Sequence, residues 1–173
     1  FEVTVLSGEE FASARKRFDL VIIPPFRMGP SSRSRSLDPA IVGSLKRATA
    51  RGAIPVSVCA GAYYLCATGI ADGNEVTTHW SLADDLARQH PSVTVRKERM
   101  LIDGGSYITA GGITSFQDLS LYLIRRYLSR EVATEVARMF LINPGDRNQL
   151  QYIRDGIDDP TGGDIVSRAK AFM

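Results

Sequence analysis

Ile54-Pro55-Val56-Ser57-Val58-Cys59-Ala60-Gly61-Ala62 is the stretch on which the reading of this 173-residue chain turns. Its first half is a short apolar run rich in β-branched residues, the pattern of a strand buried on both faces. The small residues Ala60, Gly61 and Ala62 then permit a tight turn into a helix that is predicted to run to Ala71. A nucleophilic side chain between a buried strand and a helix is the arrangement of a nucleophile elbow, with the side chain clear of the sheet. The helix N-terminus beneath such a thiol lowers its pKa and offers backbone N–H groups to an oxyanion. An elbow residue also carries sparsely populated backbone angles, which is expected of Cys59. The alternative is a small cysteine buried in a close-packed turn, and residue types alone divide evenly between the two.

Outward from this stretch, extended runs alternate with helical patterns. Phe18–Phe26 (FDLVIIPPF) reads as a buried strand closed by prolines, and 27–36 as a polar surface loop. The next helix carries both punctuation marks, Asp38 as cap with Pro39 at the first position and Gly52 past the end. Its inner face is Ile41, Leu45 and Ala48. Trp80–Gln89 reads as a helix, while 93–96 and 100–110 read as strands, the latter folded at Asp103-Gly104-Gly105. Ser115–Leu128 is apolar nearly all round and is predicted to be a buried helix. Glu131–Leu141 sets Val132, Ala133, Val136, Ala137, Phe140 and Leu141 on one helical stripe. The opening, Phe1–Leu6, alternates as a strand does.

This alternation means βαβ units, a mostly parallel central sheet and a three-layer α/β sandwich. Phe18–Pro24 and Ile54–Val58 are predicted to be inner strands. Sites in such sheets gather at the C-terminal ends of strands, here Pro24–Phe26, Cys59 and the turn at Gly111–Thr114.

Composition narrows the function classes. The 21 basic and 19 acidic residues leave a net charge of +2, too weak a field to gather nucleic acid. With 44% hydrophobic and 23% charged residues the chain is ordinary globular material. Its apolar runs fall well short of the ~20 residues a membrane helix needs, and no signal peptide or lipidation motif is present, so no membrane is expected. Cys59 and Cys66 would lie two helical turns apart, roughly 10 Å, too far for a disulfide, in keeping with a reducing cytoplasm. No cysteines or histidines stand at zinc spacing and no glycine-rich phosphate loop occurs, so neither metal nor cofactor is expected. The chain opens without Met and ends on Asp164–Met173, an apolar helical stripe with no stop signal, which reads as part of a longer protein.

Thr77-Thr78-His79-Trp80 supplies the natural base for a thiol, twenty residues after Cys59. His90, before Pro91, reads instead as a solvated helix end, and Cys66 as core. Ser115 and Asp118 fit a capping box at the start of their helix.

Taken in order, Ser57-Val58-Cys59-Ala60-Gly61, Thr77-Thr78-His79-Trp80 and the run from Asp103 to Thr114 resemble the ThiJ/PfpI superfamily. That resemblance, running from about Phe18 to about Phe140, implies the flavodoxin-like, class I glutamine-amidotransferase-like fold. The Thr-Thr-His-Trp form is similar to two groups within it: N-terminal sensor domains of AraC-family transcription regulators, and isocyanide hydratase-like enzymes. The segment from Ala137 to Ile153 looks more like the regulators. It implies a sensor domain over 1–153, N-terminally incomplete, with 154–173 as linker and start of a truncated helix-turn-helix region. A small, nitrogen-containing effector would bind near Cys59, Ala60, Gly61, His79, Pro25, Phe26 and Gly112. DNA would be met through the helix-turn-helix part, and the domain would form a homodimer.

The enzyme alternative is a cysteine-dependent hydratase, hydrolase or amidase with Cys59 as nucleophile and His79 as base. A third is a pseudo-enzyme serving only as a dimerisation scaffold. Two departures weigh against catalysis. Where active members commonly show Pro-Gly-Gly this chain has Pro24-Pro25-Phe26, and Pro25 has no N–H to lend an oxyanion hole. Amidotransferases place His directly after the nucleophile, where this chain has Ala60. The acidic residue that often contacts the cysteine would lie before Phe1.

Overall fold

The computed structural model describes residues 2–26, 37–143 and 147–153. In chain order its elements are α1 (Gly8–Ser13), β1 (Leu20–Ile23), α2 (Pro39–Ala50), β2 (Ile54–Val58), α3 (Ala62–Ala67), β3 (Glu75–Val76), α4 (Ala83–Gln89), β4 (Thr94–Val95), β5 (Leu101–Asp103), β6 (Ile108–Ala110), α5 (Phe116–Tyr127) and α6 (Arg130–Met139). The main sheet has the order β1-β2-β6-β5. β2 pairs in parallel with both β1 and β6, Val56 standing opposite Ile22 on one side and Ile108 on the other. β5 closes the sheet as the antiparallel arm of a hairpin with β6. Its turn matches the sequence: Asp103 accepts the Gly105 N–H at 2.7 Å, and Gly105 takes φ 81°, a value only glycine adopts cheaply. A small parallel pair, β3 with β4, stands apart.

Strand alternation sorts the core into two layers. Ile23 and Tyr107 face a cluster holding Leu45 of α2, with Ala62, Tyr63, Leu65 and Cys66 of α3. Val56, Val58, Ile108 and Ala110 face the other way, onto Leu119 of α5, with Cys59 among them. Helices therefore cover both faces, and the mostly parallel α/β sandwich is as the sequence predicts. The α2 signals also hold: the Asp38 side chain accepts the Ala40 N–H, Pro39 opens the helix, and Gly52 follows it at φ 96°.

Four expectations fail for physical reasons. β1 is an edge strand rather than an inner one: among the described residues it pairs only with β2, which leaves Ile22 55% exposed although Ile23 is buried. Residues 2–6 form no strand, since no described strand lends them a hydrogen-bonded neighbour, and Val3 and Val5 stand exposed. α5 is amphipathic: Leu119 is its one buried residue, Phe116 and Tyr127 face outward, and the helix packs against α6. The α6 stripe buries only Ala133 and Ala137, leaving Val132, Phe140 and Leu141 exposed. The polar loop at 27–36 and the C-terminal linker and helix at 154–173 lie outside the described residues.

Candidate functional site

β2 ends at Val58, and the chain turns at once through a short 3-10 turn, Cys59–Gly61, into α3. Cys59 sits in the turn at φ 53°, in the left-handed region that non-glycine residues rarely enter. The turn is held on two sides. A Cβ at Gly61 would lie 2.4 Å from the Ile23 carbonyl oxygen, so only glycine lets the turn pass under the end of β1. The buried Thr78 hydroxyl donates to the Cys59 carbonyl at 2.8 Å. Strain at one residue is thus fixed by packing beneath it and a hydrogen bond above it.

Cys59 is only 7% exposed, and the backbone amides of Ala60 and His79 lie near enough to its sulfur to favour the thiolate. Burial outweighs these two donors and pushes the thiol pKa up, against the lowering expected from the helix end. The element behind it is a single 3-10 turn before a six-residue helix, too short to supply much of a dipole. Cys66 is likewise a buried free thiol, with its pKa pushed up to about 12 by burial.

His79 reaches the site through its backbone rather than its ring. Its Nδ1 accepts the Ser81 backbone N–H at 3.2 Å and stands 2.8 Å from the Ser81 hydroxyl. A backbone N–H can only donate, so in the neutral ring the proton is on Nε2. Burial holds the imidazole below its ordinary pKa, which favours that neutral form. The ring lies against Trp80, centroids 5.4 Å apart, and over Gly112, where a Cβ would approach its Cδ2 to 3.2 Å. Among the described residues, no imidazole or carboxylate hydrogen-bonds to the Cys59 sulfur.

Of the sequence-predicted site residues, the structure brings together Cys59, Ala60, His79 and Gly112. Gly61 is beneath the turn, on Ile23. Pro25 is exposed and Phe26 packs edge-on against Tyr64, centroids 5.5 Å apart, alongside the core layer opposite to that of Cys59. Phe26 instead helps wall a cavity of about 610 Å3 along β1, with Leu6, Phe11, Phe18, Val21 and Ile41. Cys59 does not line it.

Two smaller expectations are corrected. Ser115 makes no capping bond, because a 3-10 turn at Ile113–Ser115 moves the start of the helical run back to Gly112. Its hydroxyl and one Asp118 carboxylate oxygen are buried without a hydrogen-bond partner, Arg147 standing 3.6 Å from the latter. His90 is half-buried against Tyr63 rather than solvated, with its pKa lowered by burial.

The residue that sequence reasoning missed is Gln149. It is 2% exposed, its Oε1 accepts the Trp80 N–H at 3.1 Å, and its Nε2 donates to the carbonyls of Thr78 at 2.8 Å and Arg99 at 2.9 Å. In sequence it is one of several polar residues in the run Asp146-Arg147-Asn148-Gln149, and nothing in a linear reading places it, 71 residues on, against Thr78.

The sequence model of the DJ-1/PfpI family matches residues 4–126. The chain is 31% identical over 108 residues to the HTH-type transcriptional regulator CdhR of Pseudomonas aeruginosa, covering 62% of this chain and 32% of that protein. It is 31% identical over 138 residues to the Parkinson disease protein 7 homolog of Danio rerio, covering 78% of this chain and 70% of that one. Among solved structures it is similar to an AraC family transcriptional regulator from Pseudomonas putida, with TM-score 0.63, 18% identity, and 81% and 70% of the two chains covered. The chain therefore spans about a third of the length of the regulator CdhR.

Proposed function

Because the chain belongs to the DJ-1/PfpI family, we propose that it is the ligand-sensing domain of an AraC-type transcription regulator rather than a working cysteine enzyme. The observation that carries this reading is the state of Cys59. Its thiol is held protonated by burial despite the nearby backbone amides of Ala60 and His79, and the His79 ring is turned to Ser81. A cysteine nucleophile needs its thiolate, and therefore a nearby base or cation. Likeness to regulators over the matched residues supports the same reading.

In this reading residues 1–153 sense and 154–173 lead toward a helix-turn-helix part that contacts DNA. The effector is a small, nitrogen-containing metabolite presenting a carbonyl or carboxylate oxygen to the amides of Ala60 and His79. The domain works as a homodimer, matching paired half-sites in an operator, and acts in the cytoplasm. Among the described residues no helix is long and apolar enough to cross a membrane, and no group of three or more His, Cys, Asp or Glu side chains could hold a metal ion.

A thermal-shift screen of small metabolites on the wild type and on Cys59→Ala tests the proposal. Ligands that raise the melting temperature of both proteins, with no product formed, support the sensor. Rapid turnover of an amide or isonitrile by the wild type, abolished in Cys59→Ala, overturns it in favour of the enzyme.

A further inference from the structure

The segment Arg147–Ile153 reaches the Cys59 site through one side chain. The backbone at Arg99 and Asn148 forms an isolated antiparallel bridge, and the Gln149 N–H donates to the Glu98 carbonyl at 2.9 Å. From that anchor the Gln149 side chain turns inward. Its amide bridges Thr78 and Trp80, the residues on either side of His79, and also ties down Arg99. Thr78 in turn holds the Cys59 carbonyl, while the His79 N–H faces the Cys59 sulfur. The cradle is closed from behind by Gly111, where a Cβ would come within 2.6 Å of the Gln149 Nε2. A glutamine that uses both ends of its amide in a buried site is a shaped fit, because leaving any of those groups unpaired costs free energy.

We propose that Gln149 is a positioning residue for the Cys59 site and that docking of residues 147–153 is coupled to the occupancy of that site. The path is short and wholly polar: Cys59 carbonyl, Thr78 hydroxyl, Thr78 carbonyl, Gln149 amide. Anything that shifts the Thr77–Trp80 loop to take a ligand at the sulfur strains the bonds by which the segment is docked. Thermodynamic reciprocity then makes release of the segment loosen the site. This goes beyond the sensor reading, and its test needs no effector.

Iodoacetamide, which alkylates Cys59 with loss of iodide and a proton, serves as the probe. Peptide mapping follows its rate against Cys66 as internal reference. In Gln149→Ala, the Cys59/Cys66 rate ratio is expected to rise about fivefold or more, the lower end of usual site couplings. The Trp80 amide, robbed of its acceptor, should exchange with solvent faster, as should residues 147–153. Leu150→Ala, at an exposed position in the same segment, should leave the ratio unchanged. A folded Gln149→Ala with unchanged alkylation ratio and unchanged Trp80 exchange overturns the proposal. If that variant does not fold, the wild type still decides. Carbamidomethylation of Cys59 must speed exchange at 147–153 and leave α2 untouched, and no change at 147–153 refutes the coupling. Binding of a metabolite in the thermal-shift screen is a separate outcome, so either proposal can fail alone.

Discussion

The elbow around Cys59 and the open edge of β1 lie at neighbouring strand ends of one sheet, yet they are built on opposite terms. The elbow has almost no room. Its strained backbone is locked by Gly61 beneath and Thr78 above, and its polar groups answer one another across chain distances of 19 to 71 residues. The β1 edge has room and few constraints: a largely apolar cavity of about 610 Å3, within the usual size of small-molecule sites, and an exposed Ile22. Chemical definition and available volume are therefore separated in this molecule. A ligand that bonds to the elbow must be small or must move the Thr77–Trp80 loop, whereas the cavity beside β1 has room for bulk.

The largest test of that contrast is Gly61→Ala. The new methyl meets backbone, which cannot swing aside, so the loss should be about 3 kcal/mol, the upper end of overpacking costs. Urea unfolding measures it, and a loss under ~1 kcal/mol, the bottom of that range, would mean the elbow is not locked as described. Thr78→Val comes next. It keeps the shape but strips the donor from the Cys59 carbonyl, and should cost about 1–2 kcal/mol. A neutral Thr78→Val would show that Gly61 alone holds the turn.

The third test is pH. An unfolded chain binds a proton at His79 near the ordinary imidazole value of about 6.5, but the folded chain only below that. Between the two values the unfolded state holds more protons, so stability falls as pH drops through that window. His90 is shifted the same way, again mainly by burial. His79→Gln should therefore shrink, without abolishing, the loss in urea midpoint between neutral and mildly acidic pH. An identical loss in the variant would place His79 in water and break the picture of a packed site.

The smallest effect belongs to the edge. Ile22→Thr should change stability by no more than about 0.5 kcal/mol, as for exposed positions generally. A larger loss would mean that β1 is covered in solution and that the contrast with the elbow is overdrawn.

How far the sequence foretold this differs between the same two regions. Where the signal is local, it carried through. The β-branched run into Cys59-Ala60-Gly61 marks the strand and its strained turn, Asp38-Pro39 marks α2, and Asp103-Gly104-Gly105 marks the hairpin. Where the outcome depends on neighbours, it did not. The apolar run Leu20–Ile23 is the same whether a strand has one partner or two, so its place at the edge was unreadable. The pKa of Cys59 depends on how deeply the turn is buried, and a cysteine beside small residues does not state that. His79 was found by residue type, but what acts on the thiol is its backbone amide, which any non-proline residue would supply. Gln149 gives no periodic signal, and its role exists only once Thr78, Trp80 and Arg99 have been brought round it.

The left-handed backbone at position 59 also determines what a saturation library there would return. Glycine and asparagine enter that region with least penalty, whereas β-branched residues are the poorest fit. A screen that selects for folding alone should therefore enrich glycine and asparagine at position 59 and deplete valine and isoleucine. A screen that selects for the ligand response proposed above faces the same backbone filter. Any excess of cysteine over glycine in the second screen, relative to the first, is the worth of the sulfur atom with the geometry divided out.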